Sequence, residues 1–130
     1  MIVGMGVDIA ETPRVQEAVE RHGERFLKRV FTPKEIEYCQ RHRNRYERFA
    51  ARFAAKEAAM KALGTGWRRG VTWHDFEVQN QPGGKPCLQL SGRALEIYRG
   101  MGGSRILVSL THTASYALAQ VVIESDSGNG

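Results

Sequence analysis

The chain has 130 residues, 19 Lys and Arg against 14 Asp and Glu, and a net charge of +5. That length suits one domain, and 42% hydrophobic with 25% charged residues excludes a disordered chain. The positive excess points to an anionic partner. Cys39 and Cys87 lack metal or redox spacing, so no disulfide framework is expected and a reducing cytoplasm is the default. The first residues lack a basic segment ahead of their apolar stretch, so no signal peptide is expected. No apolar stretch is long enough to span a membrane.

Ile2 to Ile9 is an apolar run broken by Gly4, Gly6 and Asp8, and it reads as a buried strand. A central strand disfavours both Asp and Gly. Asp8 falls near the strand's C-terminal end, because Thr12 and Pro13 have the chemistry of an N-cap and a first helical residue. The ordinary role of such an Asp is to accept backbone N–H groups in a turn. The first helix runs from Pro13 to about His22 and ends at Gly23. Arg14, Arg21 and Arg25 recur at spacings of seven and four, which predicts one shared helical face. Thr32-Pro33-Lys34-Glu35 is a capping box that opens a helix to about His42. A basic link follows, containing Arg41, Arg43, Arg45 and Arg48.

Phe49 to Leu63 reads as a helix that is apolar on most sides, closed by Gly64. At about 100° per residue, Phe49, Phe53, Met60 and Leu63 form one stripe and alanines cover most of the rest. Glu57 and Lys61 lie in the gap between them. A buried Glu needs a partner or a metal. The simplest partner is Lys61, because Glu followed by Lys at i+4 is the favoured helical ion pair. Phe76–Gln79 and Cys87–Leu90 alternate around the turn residues Gln81-Pro82-Gly83-Gly84, which predicts a hairpin. Ser91 caps a helix to about Met101, and Gly102-Gly103 ends it. Two strands follow, Val108–Thr113 and Tyr116–Ile123. Alternation puts Val108, Leu110 and His112 on one face and Ser109 and Thr111 on the other. Residues 125–130 read as a disordered polar tail, which leaves 1–124 as a single α+β domain.

Three function classes compete. A nucleic-acid module would use the charge but leave Asp8, Glu57 and Lys61 unexplained, and Phe49 and Phe53 face the core stripe rather than exposed arginines. No Gly-rich loop followed by Lys-Ser/Thr marks a nucleotide-triphosphate enzyme. His22, His42, His74 and His112 lack the spacing of zinc ligands.

Gly6-Val7-Asp8, then Phe53-Ala54-Ala55-Lys56-Glu57-Ala58 with Lys61-Ala62-Leu63-Gly64, then Ser109-Leu110-Thr111-His112 occur in that order. Together they resemble holo-[acyl-carrier-protein] synthase, the short-chain group of the 4′-phosphopantetheinyl transferases, from Met1 to about Glu124. The resemblance implies that family's fold, an antiparallel sheet packed against a long central helix, assembled as a homotrimer with interfacial sites. It implies transfer of 4′-phosphopantetheine from coenzyme A to a serine of apo acyl carrier protein, with adenosine 3′,5′-bisphosphate leaving, in support of fatty acid biosynthesis. It implies Mg²⁺ on Asp8 and Glu57, in keeping with the ion's preference for one or two carboxylates plus substrate phosphates. Lys61 would set a positive charge on the pyrophosphate. His112, with Ser109 or Thr111 nearby, would donate to a phosphate. Arg45 and Arg52 would contact the 3′-phosphate or adenine end, and Gly84-Lys85-Pro86 would border the coenzyme. Arg14, Arg21 and Arg25 would receive the acidic carrier protein. The general base is left between water on the cation and Glu57. Neither nucleic acid nor membrane is an expected partner. The polar run Ile9–Arg14, and Thr111 in place of a second Ser, depart from the pattern without touching the proposed ligands.

Overall fold

The structure is a computed structural model, described for residues 1–66 and 68–126. In chain order it comprises β1 (Ile2–Glu11), α1 (Thr12–His22), α2 (Glu24–Val30), α3 (Pro33–Gln40), α4 (Arg45–Leu63), a 3-10 turn (Trp73–Asp75), β2 (Phe76–Asn80), β3 (Pro86–Leu90), α5 (Gly92–Gly100), β4 (Gly103–His112) and β5 (Tyr116–Ser125). The strands form an antiparallel sheet in the order β1-β5-β4 and a separate β2-β3 hairpin. The fold is α+β, as expected. The hairpin pairs Phe76 with Leu90 and Asn80 with Pro86, bracketing the turn read from the sequence.

The long helix α4 lies across the three-stranded sheet, and the residue sizes explain the fit. Ala50, Ala51, Ala54, Ala55, Ala58, Ala59 and Ala62 are buried, as are Ala117, Ala119, Val121 and Ile123 of β5. Small residues on both elements let the helix approach closely. At β1 the approach is closest: a Cβ at Gly4 would collide with the Ala62 carbonyl, and one at Gly6 with the Ala58 carbonyl. These two positions need glycine for space rather than for backbone freedom.

Several expectations change. β1 is not buried on both sides. Its Gly4, Gly6, Asp8 and Ala10 side faces α4, while Ile2, Met5, Val7 and Ile9 are exposed. The strand also continues to Glu11, so Asp8 sits inside it, opposite Ala119, rather than at its end. Thr12 is no N-cap; the helix starts at Thr12 itself, after Glu11. Its backbone N–H goes to the Ser115 carbonyl at 2.9 Å, and its buried hydroxyl has no partner among the described residues. Residues 24–30, left without an element in the sequence reading, form α2, with Leu27 and Val30 buried. Gly23, at φ +55°, separates it from α1. Arg25 therefore lies on α2, and the single face predicted for Arg14, Arg21 and Arg25 does not exist. α4 starts at Arg45 rather than Phe49, and β4 at Gly103 rather than Val108. β5 includes Ser125, which the sequence reading placed in the tail, and residues 127–130 of that expected tail lie outside the described ones.

The capping box at Thr32 and Glu35 forms as predicted. Glu35 does more than cap. Both it and Lys56 have side chains 0% exposed, and Glu35 Oε1 lies 2.7 Å from Lys56 Nζ. Lys56 also donates to the carbonyls of Trp73 (3.1 Å) and Phe76 (2.6 Å), and Glu35 Oε2 accepts from the Val78 amide at 2.8 Å. Burial pushes the Lys56 ammonium's pKa down, and Glu35 opposes the shift. This fully bonded pair fastens α3, α4, the 3-10 turn and β2 together.

Candidate active site

Asp8 and Lys61 meet where β1 crosses the C-terminal half of α4. The Lys61 ammonium donates to Asp8 Oδ1 at 2.9 Å and to the Val7 carbonyl at 3.1 Å. The sequence suggested that Lys61 pairs with Glu57. Its nearest partner is instead Asp8, 53 residues away in sequence. Glu57 is half-buried beside them. Its pKa is raised, first by burial and then by the Asp8 charge, with Lys61 pulling the other way. Two carboxylates sensing each other, with one ammonium bonded to Asp8, form a negatively biased cluster with oxygen donors. That donor chemistry fits a hard divalent cation.

Arg52 leaves α4 on a different side. Arg52 and Lys56, one turn apart, face α3 and the hairpin; Glu57 and Lys61 lie about 100° further round. The Arg52 guanidinium stacks over the Tyr38 ring, 4.0 Å from its centroid, and Nη2 donates to Asn80 Oδ1 at 2.7 Å. Asn80 Nδ2 donates onward to the Gly84 carbonyl at 3.0 Å. Arg52 is only 4% exposed, and its buried Nε has no partner among the described residues. Lys85 is exposed at the same turn and Pro86 starts β3. Arg45 is exposed at the start of α4, over the Tyr46 ring.

His112 ends β4 on the face that packs towards α4, with Val108 and Leu110, as the alternation predicted. Its Nδ1 lies 2.9 Å from Glu47 Oε1. Ser109 and Thr111 are exposed on the opposite face, so within one chain they do not share the surroundings of His112. The sequence reading missed Glu47, Tyr38 and Asn80. Each acts through a partner 10 to 65 residues away, so no local pattern marks it.

Arg14 and Arg21 are exposed on α1, in loose ion pairs with Glu11 (3.4 Å) and Glu17 (3.5 Å). Arg14 borders a groove of about 450 Å³, lined also by Ile9, Val15, Phe26, Phe53 and Tyr116. Arg25 borders a smaller one of about 250 Å³, with His22, Phe26 and Arg29. The residues singled out thus fall into two groups. Asp8, Glu57 and Lys61 are together at one end of α4; Arg52, the Gly84–Pro86 turn and the Glu47–His112 pair lie towards the other. Nine residues separate Arg52 from Lys61, roughly 14 Å along the helix.

Residues 4–121 match the family described as the 4′-phosphopantetheinyl transferase superfamily. The chain is 56% identical to the holo-[acyl-carrier-protein] synthase of Koribacter versatilis, covering 95% of this chain and 99% of that one. It is 54% identical to that of Solibacter usitatus, over 96% and 100%. Among solved structures it resembles the synthase of Neisseria meningitidis, with TM-score 0.87 and 32% identity over 96% of this chain and 100% of that one. It also resembles the Helicobacter pylori synthase in complex with coenzyme A, with TM-score 0.81 and 30% identity over 92% and 99%.

Proposed function

Because the chain belongs to the holo-[acyl-carrier-protein] synthase family of 4′-phosphopantetheinyl transferases, we propose that it moves the 4′-phosphopantetheine arm of coenzyme A onto a serine of an apo acyl carrier protein. The observation that carries this reading is the convergence of Asp8, Glu57 and Lys61 from two apolar elements. The two carboxylates are costly in such elements, and with the exposed ammonium of Lys61 they suit one task. Asp8 and Glu57 would hold Mg²⁺, which when bound supplies positive charge to the pyrophosphate. Lys61 adds a second positive charge, on a side chain long enough to turn from Asp8 towards a phosphate oxygen. A fixed donor of that kind stabilises charge that develops in the transition state.

The remaining residues divide between the two substrates. Arg52, with its unpartnered Nε, and the Gly84-Lys85-Pro86 turn would hold the nucleotide end, together with Arg45 and His112. Arg suits phosphate through its planar fork of donors. Arg14, exposed at the edge of an apolar groove and only loosely paired with Glu11, suits an acidic carrier protein. Arg52 and Glu57 leave α4 on different sides, which supports a homotrimer in which each site draws on two chains. In that assembly the exposed face of Met5, Val7, Ile9, Tyr116 and Leu118 would be covered. Among the described residues no helix is long and apolar enough to cross a membrane, and cytoplasmic placement is part of the proposal.

The test is direct. The protein is incubated with coenzyme A, Mg²⁺ and an apo carrier, and the carrier is weighed. A gain of one phosphopantetheine is expected. Asp8→Ala and Glu57→Ala should abolish the gain without unfolding the chain, and should abolish the heat of Mg²⁺ binding in calorimetry. A carrier left unmodified by the intact enzyme would refute the activity. Full Mg²⁺ binding by either variant would remove that residue from the metal site.

A further inference from the structure

We propose that Asn80 is a positioning residue that clasps the Gly84–Pro86 turn to α4 through Arg52, and so sets that turn for coenzyme A. The inference rests on the proposed placement of the coenzyme at this turn. Its own ground is a two-bond relay. Arg52 can only donate, and the Gly84 carbonyl can only accept. Asn80 uses its oxygen for the first (2.7 Å) and its nitrogen for the second (3.0 Å), so both halves of the amide are engaged. The upstream end of the relay is fixed. Arg52 is 4% exposed and stacked on Tyr38, so its guanidinium has little freedom. The downstream end needs fixing. Gln81 to Lys85 are all exposed, and Gly83 and Gly84 have φ of +98° and +95°, where glycine's own preferences hold nothing in place. Two backbone bonds, Gln81 N to Lys85 O and Gly84 N to Gln81 O, both 2.8 Å, shape the turn internally. Among the side-chain hydrogen bonds of the described residues, the relay through Asn80 is what joins it to the helix. A side chain with one acceptor and two donors is needed to do this; Asp and Ala each lose the Gly84 bond.

The experiment compares the full-length enzyme with Asn80→Ala and Asn80→Asp. Steady-state transfer, thermal melting and amide hydrogen exchange at Gln81 and Gly84 are measured for each. Asn80→Ala should raise the KM for coenzyme A about tenfold, the loss expected for two hydrogen bonds of ordinary strength. The kcat and the KM for the carrier should stay close to those of the parent; Asn80→Ala should melt lower because it strands the buried Arg52 donor, and Asn80→Asp, which keeps that bond, should not. Exchange at Gln81 and Gly84 should quicken in both variants, because Asp keeps only the bond from Arg52. A lowered melting temperature with an unchanged coenzyme KM would overturn the proposal and leave Asn80 a structural residue. So would a raised KM with unaltered exchange, or slow exchange in Asn80→Asp. Lys85→Ala separates the underlying reading: if neither it nor Asn80→Ala changes the coenzyme KM while exchange still quickens, the coenzyme does not lie at this turn and the proposal falls with it. An intact enzyme that transfers nothing fails at the level of the activity instead.

Discussion

Glu57 is a side chain whose proposed function opposes stability. Its pKa is raised chiefly by burial and further by Asp8, and Lys61 offsets only part of this. For an acid, a raised folded-state pKa means that folding favours the protonated form. The associated stability is present below the ordinary carboxylate pKa and is lost as pH rises through the raised value. At neutral pH the ionised carboxylate therefore works against folding unless a cation joins it. Glu57→Gln should raise the melting temperature at pH 7 in the presence of a chelator and abolish transfer. The gain should vanish near pH 4, where Glu57 is itself protonated. A lower melting temperature at pH 7 would contradict this account. Asp8 and Glu57 were legible in the sequence because a carboxylate in an apolar element is conspicuous. The true partner of Lys61 was not, since the Asp8 contact spans 53 residues and a nearer carboxylate sat at the favoured helical spacing.

Elements are joined here by buried charge as well as by apolar packing. The Glu35–Lys56 pair is wholly desolvated, yet every strong group around it has a partner. Breaking such a pair from one side strands a charge, which typically costs about 3–5 kcal/mol. Lys56→Met should lower stability to chemical denaturation by that order, and adding Glu35→Gln should recover part of it. Additive losses would show that the pair is not the fastening point. On α1, charge reversal at Arg14 should raise the KM for the carrier and leave that for coenzyme A nearly unchanged. Added salt should weaken carrier binding too, because surface charges are screened. Strong competition by duplex DNA would favour a nucleic-acid role instead. The hairpin, the capping box at Thr32 and the core of α4 were readable because each carries its signal within a few residues. The role of Lys56 was hidden inside a helical motif that looked like alternating alanines and charges. α2 was missed because seven residues between Gly23 and Phe31 give too short a periodic pattern. β1 was misjudged because glycines that admit a helix look the same in sequence as glycines that break a strand.

At the scale of the whole molecule, the sheet carries an apolar surface that one chain leaves in water. Ile9 lies beside Leu118 across the β1–β5 ladder, and Met5, Val7 and Tyr116 extend the patch. All five are at least 39% exposed, which is unusual for contiguous large apolar residues on an isolated domain. The proposed homotrimer would cover this surface and would bring the Lys61 end of one α4 towards the Arg52 end of another. Val7→Glu should then yield a folded monomer with little transfer activity, as read by light scattering and carrier mass. A sharper result comes from mixing two inactive chains. Lys61→Met and Arg52→Ala each spoil every site in a uniform trimer. When the two are co-expressed, a site drawing Lys61 from one chain and Arg52 from its neighbour is intact in roughly a quarter of random interfaces. Trimers purified through tags on both chains are all mixed, so one interface in three is intact and activity should reappear to about a third. Mixed trimers without any recovery would mean that each chain builds its own site, and that the distance along α4 is bridged within a single chain.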